Sequence, residues 1–308
     1  MGIILGIDVG GSTTKIVGIR EVRQGDAVRQ GTVPVRQGTV LCLAPAGEQD
    51  REPSPVLPRR PVLPFGFLQV RAADQITSMY GAMGNFLSKH DLKPADVTKI
   101  FLTGVGASFI NEQIYGIETH KVSEFTSIGS GALYLTGFDE ALVLSMGTGT
   151  ALVRAAGSRI EHLGGSGVGG GTIIGLASQM LGKSDVDAIL ALADKGDLKN
   201  IDLSVCDILS NELQSLPLDL TAANFGKIKS TASDSDIALG IINMVFETAG
   251  MLAVFALKND TIKDVIVTGS LAVFPQAETV FSKFRRITGI NFTIPQNAEF
   301  ATAIGATL

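Results

Sequence analysis

Two stretches of this chain repeat one pattern: ILGIDVGGSTTKIV at residues 4–17 and LVLSMGTGTALVRA at residues 142–155. Each has a short apolar run, a turn rich in glycine, serine and threonine, and a second apolar run, which is the pattern of a β-hairpin. A chain that carries the same hairpin twice indicates a duplicated domain with a cleft between its halves. The sequence therefore predicts an α/β protein built from two similar halves.

The turn of the first hairpin, DVGGSTTK at residues 8–15, has the composition of a phosphate-binding loop. Glycines let the backbone approach a phosphate, and successive N–H groups can form an anion-binding nest. Asp8 follows a buried strand and could hold Mg²⁺, while Lys15 could balance the charge of a transferring phosphoryl group. The GxxxxGK[S/T] spacing of a P-loop is absent from the sequence, and an ordinary hairpin turn with a capping aspartate is the competing interpretation.

Three further glycine-containing segments are candidates for the same site. Residues 147–150 (GTGT) repeat the first turn and could face it across the phosphates. Residues 164–171 hold six glycines in eight positions and lead into an apolar-periodic helix, whose N-terminus is a natural phosphate site, although a plain linker has the same composition. Gly269 and Ser270 follow the strand DVIVT and could contact adenine or ribose, or form a simple strand-to-helix turn.

Glu124 lies where a predicted strand gives way to a predicted helix. A carboxylate there could accept a proton from an attacking hydroxyl, and the helix dipole would keep it ionised. From spacing alone, the alternative is that Glu124 only stabilises the N-terminus of the helix by its charge. The three histidines, His90, His120 and His162, show no metal-ligand spacing.

Composition excludes several classes of protein. Of the 308 residues, 25 are Lys or Arg and 30 are Asp or Glu, and the net charge of −5 argues against nucleic acid as the main partner. Cys42 and Cys206 are too few for a disulfide scaffold or a cysteine metal cage. Residues 240–257 are apolar but contain Glu247 and two glycines, so they predict a buried core helix rather than a membrane span. The N-terminus lacks a signal-peptide pattern, and we expect a cytoplasmic protein.

Residues 22–66 differ from the rest of the chain. They contain the sequence VRQG three times, at residues 22–25, 28–31 and 35–38, and seven of the eleven prolines. This composition is typical of extended or disordered sequence. We therefore predict a poorly ordered, non-catalytic insertion within the first half.

Hydrophobic periodicity predicts the remaining elements. Strands are expected at residues 3–7, 15–19, 99–103, 119–122, 141–145, 151–155, 265–268 and 291–294. Helices are expected after residue 71 and at residues 123–135, 172–181, 185–194, 235–257, 272–288 and 300–306.

In combination, these motifs resemble the acetate kinase, sugar kinase, heat-shock ATPase and actin superfamily, and within it the type II pantothenate kinases. The residues that carry the resemblance are GIDVGGSTTK (6–15), SEF (123–125), MGTGT (146–150), GGSGVGGGTIIGL (164–176), DLTAANFG (219–226) and VTGS (267–270). The resemblance covers residues 1–20 and about 70–308. It implies duplicated ribonuclease H-like (actin-like ATPase) domains, at residues 1–135 and 136–308, with an interdomain nucleotide cleft.

The resemblance also implies roles for individual residues. Glu124 would be the general base that deprotonates the primary hydroxyl of pantothenate, with Lys15 and Asp8 as further catalytic groups and Mg²⁺ on Asp8. The substrate would meet Glu124, His162 and Gly149, and the enzyme would be a homodimer. ATP would contact Asp8, Gly10, Gly11, Ser12, Thr13, Thr14, Lys15, Thr148, Gly170, Gly171, Thr172, Ile173, Ile174 and Ser270.

Two positions depart from the family pattern. His162 stands where the family usually has a substrate-binding arginine just before the glycine-rich loop. A neutral imidazole cannot make a two-pronged clamp on a carboxylate, so either Arg154 or Arg159 compensates, or the substrate is a related hydroxyl compound. The family's tyrosine near the adenine falls close to Val186.

Three alternative functions fit the same fold. An ATP-driven activator of another enzyme would bridge an iron–sulfur cluster with closely placed cysteines, a spacing that Cys42 and Cys206 do not offer. A nucleotide-binding module without kinase activity is the second. A sugar kinase is the third, although the Cys-rich zinc motif of one large sugar-kinase group is absent from the sequence.

Overall fold

Two five-stranded mixed sheets organise the chain. The computed structural model describes residues 2–20, 63–72, 74–209 and 220–308. The first sheet has the order β3-β2-β1-β4-β5 and contains β1 (Ile3–Val9), β2 (Thr13–Arg20), β3 (Leu63–Arg71), β4 (Val97–Thr103) and β5 (Glu118–Lys121). Later strands are β6 (Glu140–Met146), β7 (Thr150–Ala156), β8 (Arg159–Ser166), β9 (Leu203–Ser204), β10 (Thr221–Ala223), β11 (Asp264–Thr268) and β12 (Asn291–Thr293). The second sheet has the order β12-β11-β6-β7-β8, and β9 pairs with β10 in a separate ribbon.

The two sheets have the same topology. In the first, β1, β2 and β3 form an antiparallel meander, and β4 and β5 continue the sheet on the other side of β1 in parallel. In the second, β6, β7 and β8 form the meander, and β11 and β12 continue in parallel from β6. This is the ribonuclease H-like arrangement twice over, so the predicted fold class and its internal duplication are confirmed.

Eight helices are described. They are α1 (Gln75–Lys89), α2 (Glu124–Thr136), α3 (Gly170–Leu181), α4 (Val186–Ala193), α5 (Val205–Ile208), α6 (Asp234–Ala256), α7 (Pro275–Thr288) and α8 (Ala301–Gly305). Short 3₁₀ turns lie at Pro94–Asp96, Val105–Phe109, Ile114–Gly116, Leu198–Asn200 and Ala298–Phe300. Every helix predicted from periodicity is present, and the bounds differ by a few residues at most.

Two segments were predicted wrongly as loop. Residues 63–66, placed in the insertion, begin β3, which pairs with β2 along its length. Residues 164–166, placed in the glycine-rich loop, are the end of β8 and pair with β7. In both cases the partner strand supplies the hydrogen bonds that a local pattern cannot reveal. The remainder of the predicted insertion, residues 22–62, lies outside the described residues.

Helix α6 is the apolar segment that composition singled out. By length and composition it could cross a membrane, but 61% of its most apolar window is buried inside the protein. Its first turn is closed by Ser233 and Asp236, each of which bonds to the other's backbone N–H. Its apolar side chains, including Ile242 and Phe246, lie in the core of the second half. The predicted core helix is therefore confirmed.

The last helix of each half packs on the sheet of the other half. Ile128 and Leu133 of α2 contact Val143 and Val153 of the second sheet. On the first sheet, Val17 and Ile19 of β2 contact Ala303 and Ile304 of α8. The halves are thereby interlocked, and the division at residues 135 and 136 stays a prediction.

Glycine lets α2 and α8 touch backbone to backbone. A β-carbon added at Gly131 would overlap the carbonyl oxygen of Ala301, and one added at Gly305 would overlap that of Ser127. Both overlaps involve main-chain atoms, which cannot move aside as a flexible side chain can. The close approach of these helices therefore requires glycine on each of them.

We expect Gly131→Ala to lower the free energy of unfolding by about 1–3 kcal/mol, because it forces α2 and α8 apart. The matched control is Gly84→Ala in α1, where an added β-carbon meets nothing within 4 Å. That substitution should instead raise the free energy of unfolding by about 0.5–1 kcal/mol, through better helix propensity. Urea titration of both variants measures the two shifts, and shifts of the same sign would contradict the packing argument.

Candidate active site

The turns of the two hairpins meet each other. Ser12 Oγ, in the turn between β1 and β2, lies 2.8 Å from Thr148 Oγ1, in the turn between β6 and β7. Gly11 lies opposite the same threonine: a β-carbon added to Gly11 would be 3.4 Å from Thr148 Oγ1. The two predicted phosphate turns thus face each other, as the repeat indicated.

The N-terminus of α3 forms a third wall against the second turn. Gly170 N and Gly171 N donate to the carbonyl oxygens of Gly147 and Thr148, each over 2.9 Å. These two N–H groups therefore hold the turn in place, and their predicted contact with phosphate stays a prediction. Thr172, Ile173 and Ile174 lie in the first turn of the same helix, where the helix dipole favours an anion.

Gly269 and Ser270 close the site from the second sheet. Gly269 has a φ of +90°, and a β-carbon there would overlap the carbonyl oxygen of Met146, so only glycine fits this bend. Leu271 N donates to the same carbonyl over 3.0 Å. Ser270 therefore lies directly beside the second hairpin, and its contact with the nucleotide stays a prediction.

The same bend occurs in the first half, where the sequence predicts a turn at residues 104–106 but its correspondence with Gly269 was not recognised. Gly104 after β4 also has a φ of +90°, and a β-carbon there would come within 2.5 Å of Asp8 Oδ1. The signal was present as Leu-Thr-Gly at residues 102–104 and Val-Thr-Gly at residues 267–269. The Thr-Gly pair ends β4 in the first sheet and β11 in the second, which are the fourth strands of the two sheets along the chain.

Three polar side chains cross the first sheet side by side at its cleft edge. Asp8 on β1 pairs in register with Lys15 on β2 and with Thr103 on β4. Register partners point to the same face of a sheet, so all three share the face that α8 covers. All are buried: Asp8 is 8% exposed, Lys15 5% and Thr103 0%.

Two more carboxylates approach this row from helix termini. Glu124 is the first residue of α2, and Glu299 lies in the 3₁₀ turn that leads into α8. The charges of both, together with that of Asp8, act on Lys15. Sequence reasoning identified Glu124 but missed Glu299, because only the return of the last helix to the first sheet brings it here.

Burial sets the protonation behaviour of the cluster. It raises the pKa of Asp8, and the charge of Lys15 only partly opposes this. Burial also lowers the pKa of Lys15, against the pull of Asp8, Glu299 and Glu124. The pKa of Glu124 is raised by burial and by repulsion from Asp8, with Lys15 opposing. Shifted pKa values of this kind concentrate at functional sites, so Glu124 stays a candidate for the predicted general base.

His162 stacks on the residue that follows Glu124. The rings of His162 and Phe125 lie 3.7 Å apart, centroid to centroid, and only 9° from parallel. Both are exposed, so the stack presents an aromatic surface beside the start of α2. Both terminal guanidinium nitrogens of Arg154 bond to Asp260, so this arginine already has a carboxylate partner. Arg159 is exposed at the far end of β8.

An ion pair joins the two halves beside the hairpin turns. Arg71 at the end of β3 bonds to Asp185 over 2.7 Å, and Asp185 also caps α4 by accepting from Ala188 N. Val186, where the family has its adenine-side tyrosine, is the first residue of that helix. The start of α4 is thus held to the first half through Arg71.

The motif DLTAANFG has a structural explanation in its described residues, 220–226. Asp202 accepts from Asn224, from Phe225 N and from Asn243 of α6, over 3.4, 2.8 and 2.8 Å. Glu247 accepts from Thr221 and Asn224, over 2.8 and 3.0 Å. Buried carboxylates satisfied in this way fix a loop in one conformation. Asp219 lies outside the described residues.

Asp8 is the predicted metal-binding residue of this site. In the described part of the chain, no three His, Cys, Asp or Glu residues form a group that could hold a metal ion. Asp8 is nevertheless a buried carboxylate that accepts no hydrogen bond from a described residue, which suits a ligand of a nucleotide-bound Mg²⁺. Cys206 is exposed, and Cys42 lies outside the described residues.

The chain is similar to one protein family in sequence and to several solved structures in fold. The Fumble family model matches residues 138–280. The type II pantothenate kinase of Staphylococcus haemolyticus is 30% identical over 219 residues, which are 67% of this chain and 81% of that protein. Two solved structures share the fold at low identity. The activator of 2-hydroxyisocaproyl-CoA dehydratase from Clostridium difficile with bound ADPNP has a TM-score of 0.61 and 13% identity, over 99% of this chain and 92% of that one. A ROK glucokinase from Streptomyces griseus in complex with glucose and AMPPNP has a TM-score of 0.53 and 12% identity, over 99% and 98%.

These likenesses differ in what they establish. The two solved structures, at 13% and 12% identity, establish the fold alone. The match to the Staphylococcus protein, at 30% identity, runs over most of that protein's length. The chain belongs to the type II pantothenate kinase family.

Proposed function

We propose that this protein transfers the γ-phosphoryl group of ATP to the primary hydroxyl of pantothenate and so makes 4′-phosphopantothenate, the first step towards coenzyme A. The observation that carries the proposal is the convergence of both hairpin turns, through Ser12 and Thr148, beside a carboxylate–lysine cluster. The names of the relatives support the substrate, and the nucleotide analogues in the structural neighbours support ATP.

Glu124 would accept the proton of the attacking hydroxyl. It lies at the start of α2, half-buried, and its raised pKa makes it a better proton acceptor than an ordinary glutamate. Once the hydroxyl attacks the γ-phosphorus, the bond to the β–γ bridging oxygen breaks and ADP leaves. Lys15 would stabilise the negative charge that spreads over the transferring group.

The phosphates would lie between the two hairpin turns and the start of α3. Ser12 and Thr148 meet at this point, and their hydroxyls, that of Thr13 and the backbone of Gly10 and Gly11 would contact the phosphates. Asp8 would hold the Mg²⁺ that comes with ATP, and the ion would neutralise charge on the phosphates. Ser270 and α4 would lie on either side of the nucleoside.

The substrate would enter beside Glu124 and meet the stacked rings of Phe125 and His162, with Gly149 on the opposite hairpin turn. His162 would contact the carboxylate of pantothenate at the place where the family has an arginine. We further propose that the enzyme acts in the cytoplasm as a homodimer, as the family resemblance implies, and neither nucleic acid nor membrane is needed for this chemistry.

One assay tests the proposal. ADP release is measured with Mg-ATP and pantothenate, beside pantothenol, which keeps the hydroxyl but lacks the carboxylate, and beside a panel of sugars. We expect turnover with pantothenate, weaker use of pantothenol and none of the sugars. Turnover of a sugar alone, or of no hydroxyl compound, would overturn the proposal.

His162→Arg should lower the KM for pantothenate by about tenfold, because a guanidinium can form paired hydrogen bonds with a carboxylate. The matched control is the substrate itself: the KM for pantothenol should change little, since it has no carboxylate to bind. Steady-state kinetics with both compounds measure the difference. Equal shifts in the two KM values would remove His162 from carboxylate recognition.

A further inference from the structure

Three fully buried threonine hydroxyls in the described part of the chain have no hydrogen-bond partner: Thr14, Thr103 and Thr268. Each lies where a strand meets the cleft. A buried hydroxyl without a partner is unfavourable and rare in folded proteins, so each of the three calls for an explanation. Departures of this kind concentrate at functional sites.

Strand register distinguishes Thr103 from Thr14 and Thr268. Thr14 pairs with Val9 and Thr268 with Ser145, whereas Thr103 pairs with Asp8. Neighbouring strands lie about 4.8 Å apart, and register partners share a face, so the Thr103 side chain is directly beside that of Asp8. Of the three hydroxyls, only that of Thr103 therefore has a site carboxylate as its immediate neighbour.

The two side chains complement each other. Thr103 has an unpaired hydroxyl, and Asp8 is a buried carboxylate that accepts no hydrogen bond from a described residue. Gly104, which follows the threonine, bends with a φ of +90° around Asp8 Oδ1. The backbone at this point is thus shaped around the carboxylate, and a rotation of the threonine hydroxyl or side chain could supply the missing donor.

We propose that Thr103 is a positioning residue for phosphoryl transfer: its hydroxyl donates to the Asp8 carboxylate when Mg-ATP is bound and fixes the orientation of that carboxylate towards the phosphates. The inference rests on the proposed function, because it assigns Asp8 to the nucleotide site. A hydrogen bond to Asp8 would give the buried hydroxyl of Thr103 the partner that it lacks.

The test compares Thr103→Val, Thr103→Ser and Thr268→Val with the wild type. Thr103→Val should lower kcat by about 10- to 100-fold, the usual range for loss of a hydrogen bond to a charged group, and leave the KM for pantothenate nearly unchanged. Its Tm should rise by about 1–3 °C, because valine removes the orphaned hydroxyl and keeps the shape. Thr103→Ser should recover kcat to within about threefold of the wild type, because serine keeps the hydroxyl.

Thr268→Val is the matched comparison. Thr268 lies at the corresponding bend of the second half, is as fully buried as Thr103 and has a hydroxyl that likewise lacks a partner. It should give a similar rise in Tm with a smaller loss of kcat than Thr103→Val. An equal loss of kcat in both valine variants, or a wild-type kcat in Thr103→Val, would overturn the inference.

A binding measurement separates this inference from the choice of substrate. ATP affinity is measured by calorimetry with Mg²⁺ and with EDTA, and neither titration needs an acceptor. Thr103→Val should lose most of the affinity gained with Mg²⁺ and keep its affinity in EDTA. Should the wild type fail to phosphorylate pantothenate, the proposed function fails, but this titration still decides the role of Thr103. An unchanged gain with Mg²⁺ would exclude that role.

Discussion

Glu124→Gln is expected to lower kcat for pantothenate by about 10²- to 10⁴-fold, the contribution typical of a positioned general base. Glutamine keeps the size of the side chain and the start of α2, but it cannot accept the proton of the attacking hydroxyl. The affinity for ATP should stay near that of the wild type, because the phosphates would be held by the hairpin turns. Single-turnover kinetics and calorimetry with Mg-ATP measure the two quantities.

Glu299→Gln is the matched control for the charge. Both glutamates act electrostatically on Lys15, and each substitution removes one negative charge from the same cluster. Only Glu124 lies at the start of α2, beside the rings of Phe125 and His162. We therefore expect Glu299→Gln to change kcat less than about tenfold. A wild-type kcat in Glu124→Gln, or equal losses in both variants, would remove Glu124 as the base.

The hairpins, their duplication and the helices could be predicted because their signals are local. Asp8 and Lys15 lie on the two strands of one hairpin, and short apolar runs on both sides of a glycine-rich turn are a local signal of that hairpin. The repeat at residues 142–155 then placed Thr148 opposite the first turn, and the distance between Ser12 and Thr148 agrees with that expectation.

The rest could not be predicted because it depends on partners that are distant in sequence. Residues 164–166 have the composition of a loop, and only pairing with β7 makes them a strand. Glu299 reaches Lys15 because α8 crosses to the first sheet, and Thr103 reaches Asp8 through strand register. Asp202 joins the loop after β10 to α6 across long stretches of chain. No periodic pattern encodes these contacts.

Lys15→Met is the second large effect that we expect. Methionine fills the space of the lysine stem in this buried position but carries no charge. The transferring phosphoryl group would lose its cation, and kcat should fall by about 10²- to 10³-fold, as it does when one electrostatic partner of a transition state is removed. The measurement is ADP release at saturating Mg-ATP and pantothenate.

The same substitution should also reduce stability, and this separates the two roles of the lysine. Asp8 would lose the neighbour that offsets its burial, which disfavours its charged form at a cost of about 1–3 kcal/mol. The double variant Asp8→Asn with Lys15→Met removes both charges, so it should recover the lost stability and remain inactive. Recovery of stability without activity would show that the chain keeps a buried aspartate and lysine side by side for catalysis. A Lys15→Met protein with wild-type kcat would contradict that conclusion, because the charge would then serve the fold alone.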